Sequence, residues 1–262
     1  MAFGGWSDAC EAGTGSIAVL LNRFGVDVPF ATIEPEEFID FQEHRPTVEI
    51  EDGGTRRLTW PETRFFAIPQ PDSDRDLVLV VGDEPAYRWK TFARTVTGVL
   101  DGAGVERVVF LGAYIGSVTH EQPVPLAGVA TDPDLITRYG LERSDYEGPT
   151  GIVGVLGEAC REIGLNSVSI WAGTPHYLAA NPNPAAMRTL LRKAGEIIGF
   201  EGDSETLEQM ERDFLSRVDA AVAESDDLAE YVEELRSDGR TLDPQRTGEL
   251  VNEIEDFLRD QR

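Results

Sequence analysis

Two histidines each follow a buried strand and are the side chains best placed for proton transfer. His120 lies beyond the apolar run at 107–111, and His176 lies beyond the run at 167–171. Because ligand sites of α/β proteins form at the carboxyl ends of the strands, we expect the two imidazoles to meet at one sheet edge. With a neighbouring hydroxyl or carboxylate they would form a proton-transfer site. The alternative is that both rings hold loop backbone by hydrogen bonds.

Four further side chains in predicted loops are ligand-binding candidates: Trp6, Asp8, Arg45 and Tyr177. The proline after Arg45 keeps that residue in extended backbone, from which its guanidinium would clamp a carboxylate in a bidentate way. A structural ion pair between Asp40 and Arg45 is the alternative.

The first glycine-rich loop has the spacing of a helix cap. Asp8 is predicted to be the N-cap, and Glu11, three residues later, completes a capping box. Both carboxylates oppose a phosphate at this helix start, and the chain has no G-x-G-x-x-G or Walker A pattern. It also lacks a G-x-S-x-G elbow and metal-ligand spacings of His or Cys. The sequence therefore predicts no metal, no cofactor and no hydrolase nucleophile.

Buried strands alternate with helices over the first 200 residues. Continuous apolar runs at 77–81, 107–111 and 167–171 each end near a glycine, and such runs are typical of strands covered on both faces. The pattern predicts an α/β sandwich with a mostly parallel central sheet. Strands at 47–51 and 63–68 are predicted around the turn signal at 52–54.

The last 62 residues have a different composition, with 20 acidic and 7 basic residues, and are predicted to be helical. Ser204 caps one helix, Ser225 starts a second, and Pro244 starts a third. Each helix has one apolar and one acidic face. We therefore divide the chain into an α/β domain (1–200) and an acidic helical extension (201–262). The extension is either a helical hairpin packed on the sandwich or a partner surface.

The charge of the whole chain excludes some functions. Its 262 residues carry 48 acids against 23 bases, a net charge of −25, which argues against binding nucleic acid or anionic membranes. No signal peptide and no apolar run near 18 residues is found, so we expect a soluble cytoplasmic protein. Cys10 and Cys160 are expected to be buried thiols.

Four ordered blocks resemble one family. They are F-G-G-W-S-D-A at 3–9, D-F-Q-E-H-R-P at 40–46, Y-E-G-P-T-G-I at 146–152 and W-A-G-T-P-H-Y at 171–177. These blocks resemble the prokaryotic branch of the proteasome assembly chaperone 2 family. The resemblance implies a three-layer α/β/α sandwich similar to purine nucleoside phosphorylases, a homo-oligomer such as a trimer, and a proteasome subunit as partner. Relatives also carry an ATP-grasp label, which the two lysines and the missing phosphate loop do not favour.

Two features depart from the family pattern. Only Met1 and Ala2 precede Phe3, so we expect a short first strand or a truncated start. Gln122 replaces an arginine in the loop at 118–123, which disfavours an anionic ligand there.

The leading hypothesis is a non-enzymatic, oligomeric interaction protein whose acidic helices face a partner. The competing hypothesis is a binding protein or enzyme for a nucleoside-like or anionic small molecule, using the loops at the strand carboxyl ends.

Overall fold

Strands and helices alternate along the chain as predicted, and the α/β class is confirmed. The computed structural model describes residues 1–51, 54–70, 73–178 and 182–238. Within these ranges the strands are β1 (Ala2–Gly4), β2 (Ala31–Ile33), β3 (Thr47–Ile50), β4 (Arg56–Thr59), β5 (Thr63–Ile68), β6 (Leu77–Asp83), β7 (Arg107–Gly116), β8 (Leu126–Ala130), β9 (Glu142–Arg143) and β10 (Asn166–Pro175). The helices are α1 (Ala12–Phe24), α2 (Trp89–Gly102), α3 (Asp134–Arg138), α4 (Ile152–Glu162), α5 (Pro184–Ile198), α6 (Glu205–Glu224) and α7 (Asp226–Asp238).

Two four-stranded sheets meet along the first strand. Their orders are β2-β5-β6-β1 and β7-β10-β8-β9. The Met1 amino group donates to the Val109 carbonyl oxygen at 2.7 Å, and the Leu111 N–H donates to the Met1 carbonyl oxygen at 2.9 Å. The pairs β1–β6 and β7–β10 are parallel, whereas β5 and β8 run antiparallel to their inner neighbours. The parallel centre thus brings the loops after β1, β6, β7 and β10 to one end.

Alternate residues of the same strands enter two separate hydrophobic clusters. Val109 and Leu111 of β7 pack in the cluster that contains Leu20 of α1 and Leu190 of α5. Phe110 of the same strand packs with side chains from α2 and α4. This follows from the period of two along a strand, which points successive side chains to opposite faces.

Glycines do not end the three buried strands, contrary to the predicted boundaries. β6, β7 and β10 continue through Gly82, Gly112 and Gly173. At Gly112 a Cβ atom would lie 2.7 Å from the Trp171 ring, and at Gly82 it would lie 2.5 Å from the Thr63 hydroxyl. These positions lack a side chain because a neighbour fills the space.

The predicted hairpin partner of β3 was wrong. β3 pairs antiparallel with β4, with Val48 opposite Leu58, and the pattern did not reveal β4 as a strand. β5 instead pairs with β6 and β2 in the main sheet. Residues 52 and 53 of the turn signal lie outside the described residues.

Capping bonds fix the starts of α5 and α6, and the cap at Ser204 was predicted. The Asn183 side chain accepts from the Ala186 N–H, and the Ser204 hydroxyl accepts from the Leu207 N–H. α6 packs on α5 and α7 packs on α6. Arg188 joins α5 to α6. Its guanidinium binds Asp203, just before α6, at 2.9 Å and Glu211 of α6 at 2.6 Å. The predicted helix from Pro244 lies outside the described residues.

Replacing Phe110 with Ala is expected to lower the free energy of unfolding by about 3–5 kcal/mol, because it leaves a cavity in the core. Chemical denaturation measures this. The control is Phe30→Ala, whose ring is half exposed and whose loss is expected to cost less than about 1.5 kcal/mol. Equal losses in the two variants would contradict the assignment of Phe110 to the core.

Candidate functional site

Both predicted histidines contact one buried phenol at the carboxyl end of β10. The Tyr177 side chain is 0% exposed and sits in a 3-10 turn that follows β10 directly. Its ring centroid lies 5.8 Å from that of His120 and 5.7 Å from that of His176. The loop after β7 and the turn after β10 therefore meet as the sheet topology predicts.

The Tyr177 hydroxyl is bonded twice to His120. It accepts from the His120 backbone N–H at 2.9 Å and lies 2.7 Å from Nδ1 of the same residue. On the other side of the ring, Nε2 lies 3.1 Å from Oδ1 of Asp219 in α6. One proton arrangement satisfies all three contacts: the phenol donates to Nδ1, and Nε2–H donates to the carboxylate. This chain of bonds joins β10, the loop after β7 and α6.

His176 packs edge-on against the Tyr177 ring and is held by α7. Its Nε2 contacts the hydroxyl of Tyr231 in α7. Burial lowers the pKa of His176, and a hydrogen bond with the Gly116 backbone opposes that shift in part. Burial also raises the pKa of the Tyr177 phenol, so this group stays protonated at neutral pH. Both pKa shifts favour the neutral forms of these groups.

Helices α6 and α7 cover Tyr177 and the side chain of His120. Tyr177 and Leu178 form a hydrophobic cluster with Phe214 and Val218 of α6 and Tyr231 of α7. The His120 side chain is 3% exposed, and Arg236 of α7 forms an ion pair with Glu121 beside it. The apolar stripes of α6 and α7 thus rest on Tyr177 and Leu178, and the His120 side chain is almost fully covered, whereas His176 remains partly exposed.

Asp8 caps α1, but the predicted capping box was wrong. Its Oδ1 accepts from the Gly13 N–H at 2.6 Å, and its Oδ2 accepts from the Thr14 hydroxyl. Burial raises the pKa of Asp8, while the bonds from Thr14 and Gly13 act in the opposite direction. Glu11 itself occupies the N-cap position of α1, in a left-handed backbone conformation with φ of 49°, and its side chain makes no capping bond. The carboxylate of Asp8 is therefore committed to the helix start.

Trp6 lies beside the start of α4 and is mostly exposed. The space at Gly151 is filled by Trp6, the Ser7 hydroxyl and the Glu84 carboxylate. Glu84 Oε1 accepts from the Ile152 N–H at 2.6 Å and so caps α4. The blocks at 3–9 and 146–152 are therefore in contact.

Arg45 is exposed, and its expected pair with Asp40 is absent from the ion pairs of the described residues. Asp40 instead accepts from the Gln42 N–H and from the Tyr87 hydroxyl, and these bonds lower the pKa of its carboxyl. The structure thus brings His120, His176 and Tyr177 together and leaves Arg45 apart from them.

An open cleft of about 430 Å³ lies at the carboxyl ends of β1 and β6. Four carboxylates and one arginine line it: Asp8, Glu11, Glu62, Asp83 and Arg64. This charge repels anions, so the cleft does not suit the anionic ligand of the competing hypothesis. A second cleft of about 360 Å³ opens at the amino ends of β6 and β7.

The described part of the chain contains neither a thiol with a lowered pKa nor a cluster of metal ligands. Burial raises the pKa of both Cys10 and Cys160 to about 11, so these thiols are protonated at neutral pH. No group of three or more His, Cys, Asp or Glu residues in these ranges is arranged to hold a metal ion. No helix in the same ranges is long and apolar enough to cross a bilayer.

Sequence reasoning missed two partners of the histidines, Asp219 and Tyr231. Tyr231 stands three residues after Leu228 and so falls on the apolar stripe of α7, which is a signal that the periodicity offers. Asp219 carries no such signal, because it is one acid among many on α6.

The family model of the PAC2 family matches residues 2–222, and the chain belongs to this family. A PAC2 family protein from Streptomyces avermitilis is 42% identical with a TM-score of 0.80, covering 88% of this chain and 97% of that one. A proteasome-assembly chaperone homologue from Mycobacterium tuberculosis is 38% identical with a TM-score of 0.80, covering 88% and 98%. An archaeal proteasome activator from Pyrococcus furiosus, 18% identical with a TM-score of 0.64 and coverage of 84% and 90%, shares the fold. The search of curated proteins finds no significant match. Neither the family match nor these three structures support the ATP-grasp label.

Acidification is expected to loosen α6 and α7. Because the pKa of His176 is lowered in the packed state, the packed state binds fewer protons than the detached state. The resulting stability is present above the ordinary value of 6.5 and is lost as the pH falls below it. Amide hydrogen exchange of α6 and α7, corrected for the intrinsic rate, is expected to accelerate by up to about tenfold per pH unit in that window.

The matched variant for this experiment is His176→Gln, which cannot titrate there and is expected to lose most of the acceleration. Unchanged exchange in the wild type between pH 7.5 and 5.5 would contradict the role given to His176.

Proposed function

We propose that this chain is an oligomeric interaction protein of the proteasome-assembly type, acting in the cytoplasm and catalysing no reaction. The observation that carries the proposal is the likeness over most of both chains to the proteasome-assembly chaperone homologue of M. tuberculosis. A partner of this class would be a proteasome subunit.

The closed histidine cluster supports a role without chemistry. A general acid or base has to reach the substrate atom that it serves. His120 is almost fully buried, and both hydrogen-bonding sides of its ring are occupied by Tyr177 and Asp219. The loops that would carry catalysis in the competing hypothesis instead anchor the C-terminal helices.

The acidic outer face of α6 and α7 is the partner surface in this proposal. With the apolar stripes turned inward, the helices expose a row of carboxylates to solvent: Glu205, Asp213, Asp219, Glu224, Asp226, Asp227, Glu230 and Glu233. We define these residues as the acidic face. A surface of one sign steers a partner of the opposite sign and selects against others. The complementary partner surface is basic.

The finer architecture belongs to the same proposal. Helices on both faces of the sheet would give a three-layer α/β/α sandwich similar to purine nucleoside phosphorylases. The sandwich would span residues 1–200, the acidic extension would span 201–262, and the chain would assemble as a homo-oligomer such as a trimer.

A pull-down with proteasome α-subunits tests the proposed partner. Retention at low ionic strength is expected, followed by release as salt rises and screens the acidic face. No retention at low salt would contradict the proposal.

Reversing charge on the acidic face is expected to weaken this binding. The double variant Asp213→Lys/Glu224→Lys changes two exposed carboxylates of α6, and the dissociation constant is expected to rise roughly tenfold. Isothermal titration calorimetry against the same α-subunits measures it.

The control, Asp27→Lys/Glu162→Lys, makes the same change of net charge at exposed positions outside the acidic helical extension. It is expected to bind as the wild type does. An equal loss in both variants would mean that net charge alone matters and would sink the assignment to α6 and α7.

A further inference from the structure

The hairpin of β3 and β4 carries an exposed apolar face. Val48 stands opposite Leu58, and Ile50 lies two residues further along β3 on the same side. Val48, Ile50 and Leu58 are 53%, 72% and 54% exposed. Trp60 continues the row and is 47% exposed. We name these four residues the hairpin face.

The hairpin makes few contacts with the other strands and helices, although Trp60, just beyond β4, lines the 430 Å³ cleft. Every described residue of both strands is exposed, and β3 and β4 have their main contacts with each other. The nearest cover is Phe41, whose ring packs edge-on against Trp60 at 5.0 Å. An isolated two-stranded hairpin is only marginally stable in water. Packing of a further surface against its apolar side would therefore stabilise this hairpin.

Charge is divided between the two sides of the hairpin. By strand alternation the carboxylates Glu49 and Glu51 and the guanidinium of Arg57 lie on the opposite side, where Arg57 pairs with Glu51 at 3.6 Å. Arg56, opposite Ile50, is the one charged residue of β3 or β4 on the apolar side. In a chain with a net charge of −25, this side combines apolar surface with a positive charge.

We propose that the hairpin face is the surface on which a second copy of this chain docks. The inference rests on the proposed function, of which it names the oligomer interface. Two copies repel each other over most of their acidic surface, so they approach most favourably where one of them presents no carboxylate. In this docking Arg56 would face the acidic surface of the neighbouring copy. Other copies of the same chain are present wherever the hairpin folds, whereas the presence of a different partner depends on its own synthesis.

The test compares two cross-strand pairs of the same hairpin. Val48→Thr/Leu58→Thr removes apolar side chains from the hairpin face and keeps residues that favour strands. Glu49→Thr/Arg57→Thr changes the directly opposed pair on the other side. Analytical ultracentrifugation over a range of concentrations gives the mass and the dissociation constant of each protein.

The wild type is expected at a multiple of the 28.8 kDa chain mass. The Val48/Leu58 variant is expected to dissociate with a constant raised at least about tenfold, as loss of two buried apolar side chains implies. The Glu49/Arg57 variant is expected to keep the wild-type mass. A monomeric wild type, an intact Val48/Leu58 oligomer, or equal dissociation of both variants would overturn the proposal.

A cross-link tests the contact itself. Because Cys10 and Cys160 are buried, a thiol introduced by Ile50→Cys is the accessible one among the described residues, and a photoreactive group attached to that thiol is expected to join two chains on illumination. The same reagent on Thr47→Cys, on the other side of β3, is expected to give little product. Equal yields would contradict docking by the hairpin face.

These readouts use the chain alone. If proteasome subunits fail to bind while the Val48/Leu58 variant dissociates as expected, the proposed function fails and the interface stands. If the subunits bind while that variant stays assembled, the interface fails and the proposed function stands.

Discussion

The buried phenol of Tyr177 is the interaction on which the carboxyl end of the sheet depends. A tyrosine without solvent contact needs partners for its hydroxyl, since an unpaired buried polar group is costly. His120 provides both, through its backbone N–H and its Nδ1. That requirement fixes the loop after β7, and the outer nitrogen of the same ring reaches α6 at Asp219. The apolar part of the phenol is covered by Tyr231 and its neighbours in α7.

This constraint explains why residues suited to catalysis do not form an open catalytic site. Their polar atoms are used to join secondary-structure elements, and the pKa shifts of Tyr177 and His176 both follow from burial and favour the neutral forms. The same packing turns the apolar stripes of α6 and α7 inward and their carboxylates outward. Part of the negative charge of the chain is thereby arranged on the acidic face of α6 and α7. Charge of one sign on a surface steers association.

Much of the fold was accessible from the sequence, because burial on two faces and helical periodicity leave strong patterns. The cap at Ser204 was predicted correctly from residue type alone. Glycines were misinterpreted, since a pattern cannot tell a glycine that turns the chain from one such as Gly112 that makes room for Trp171. The strand β4 was missed because both of its faces are exposed and it lacks the alternation of a half-buried strand. At the site, the approach of the loop after β7 to the turn after β10 followed from topology. That the Tyr177 ring contacts both histidines beneath two helices is a matter of tertiary packing, which spacing does not encode.

The central claim is that the acidic face of α6 and α7, and not the loops around the 430 Å³ cleft, meets the partner. Hydrogen-exchange mass spectrometry of the whole chain, with and without proteasome α-subunits, tests it directly. The account predicts slower exchange in α6 and α7 on binding and no change at residues 4–14 and 59–64. Protection confined to those cleft segments, with α6 and α7 unchanged, would contradict it.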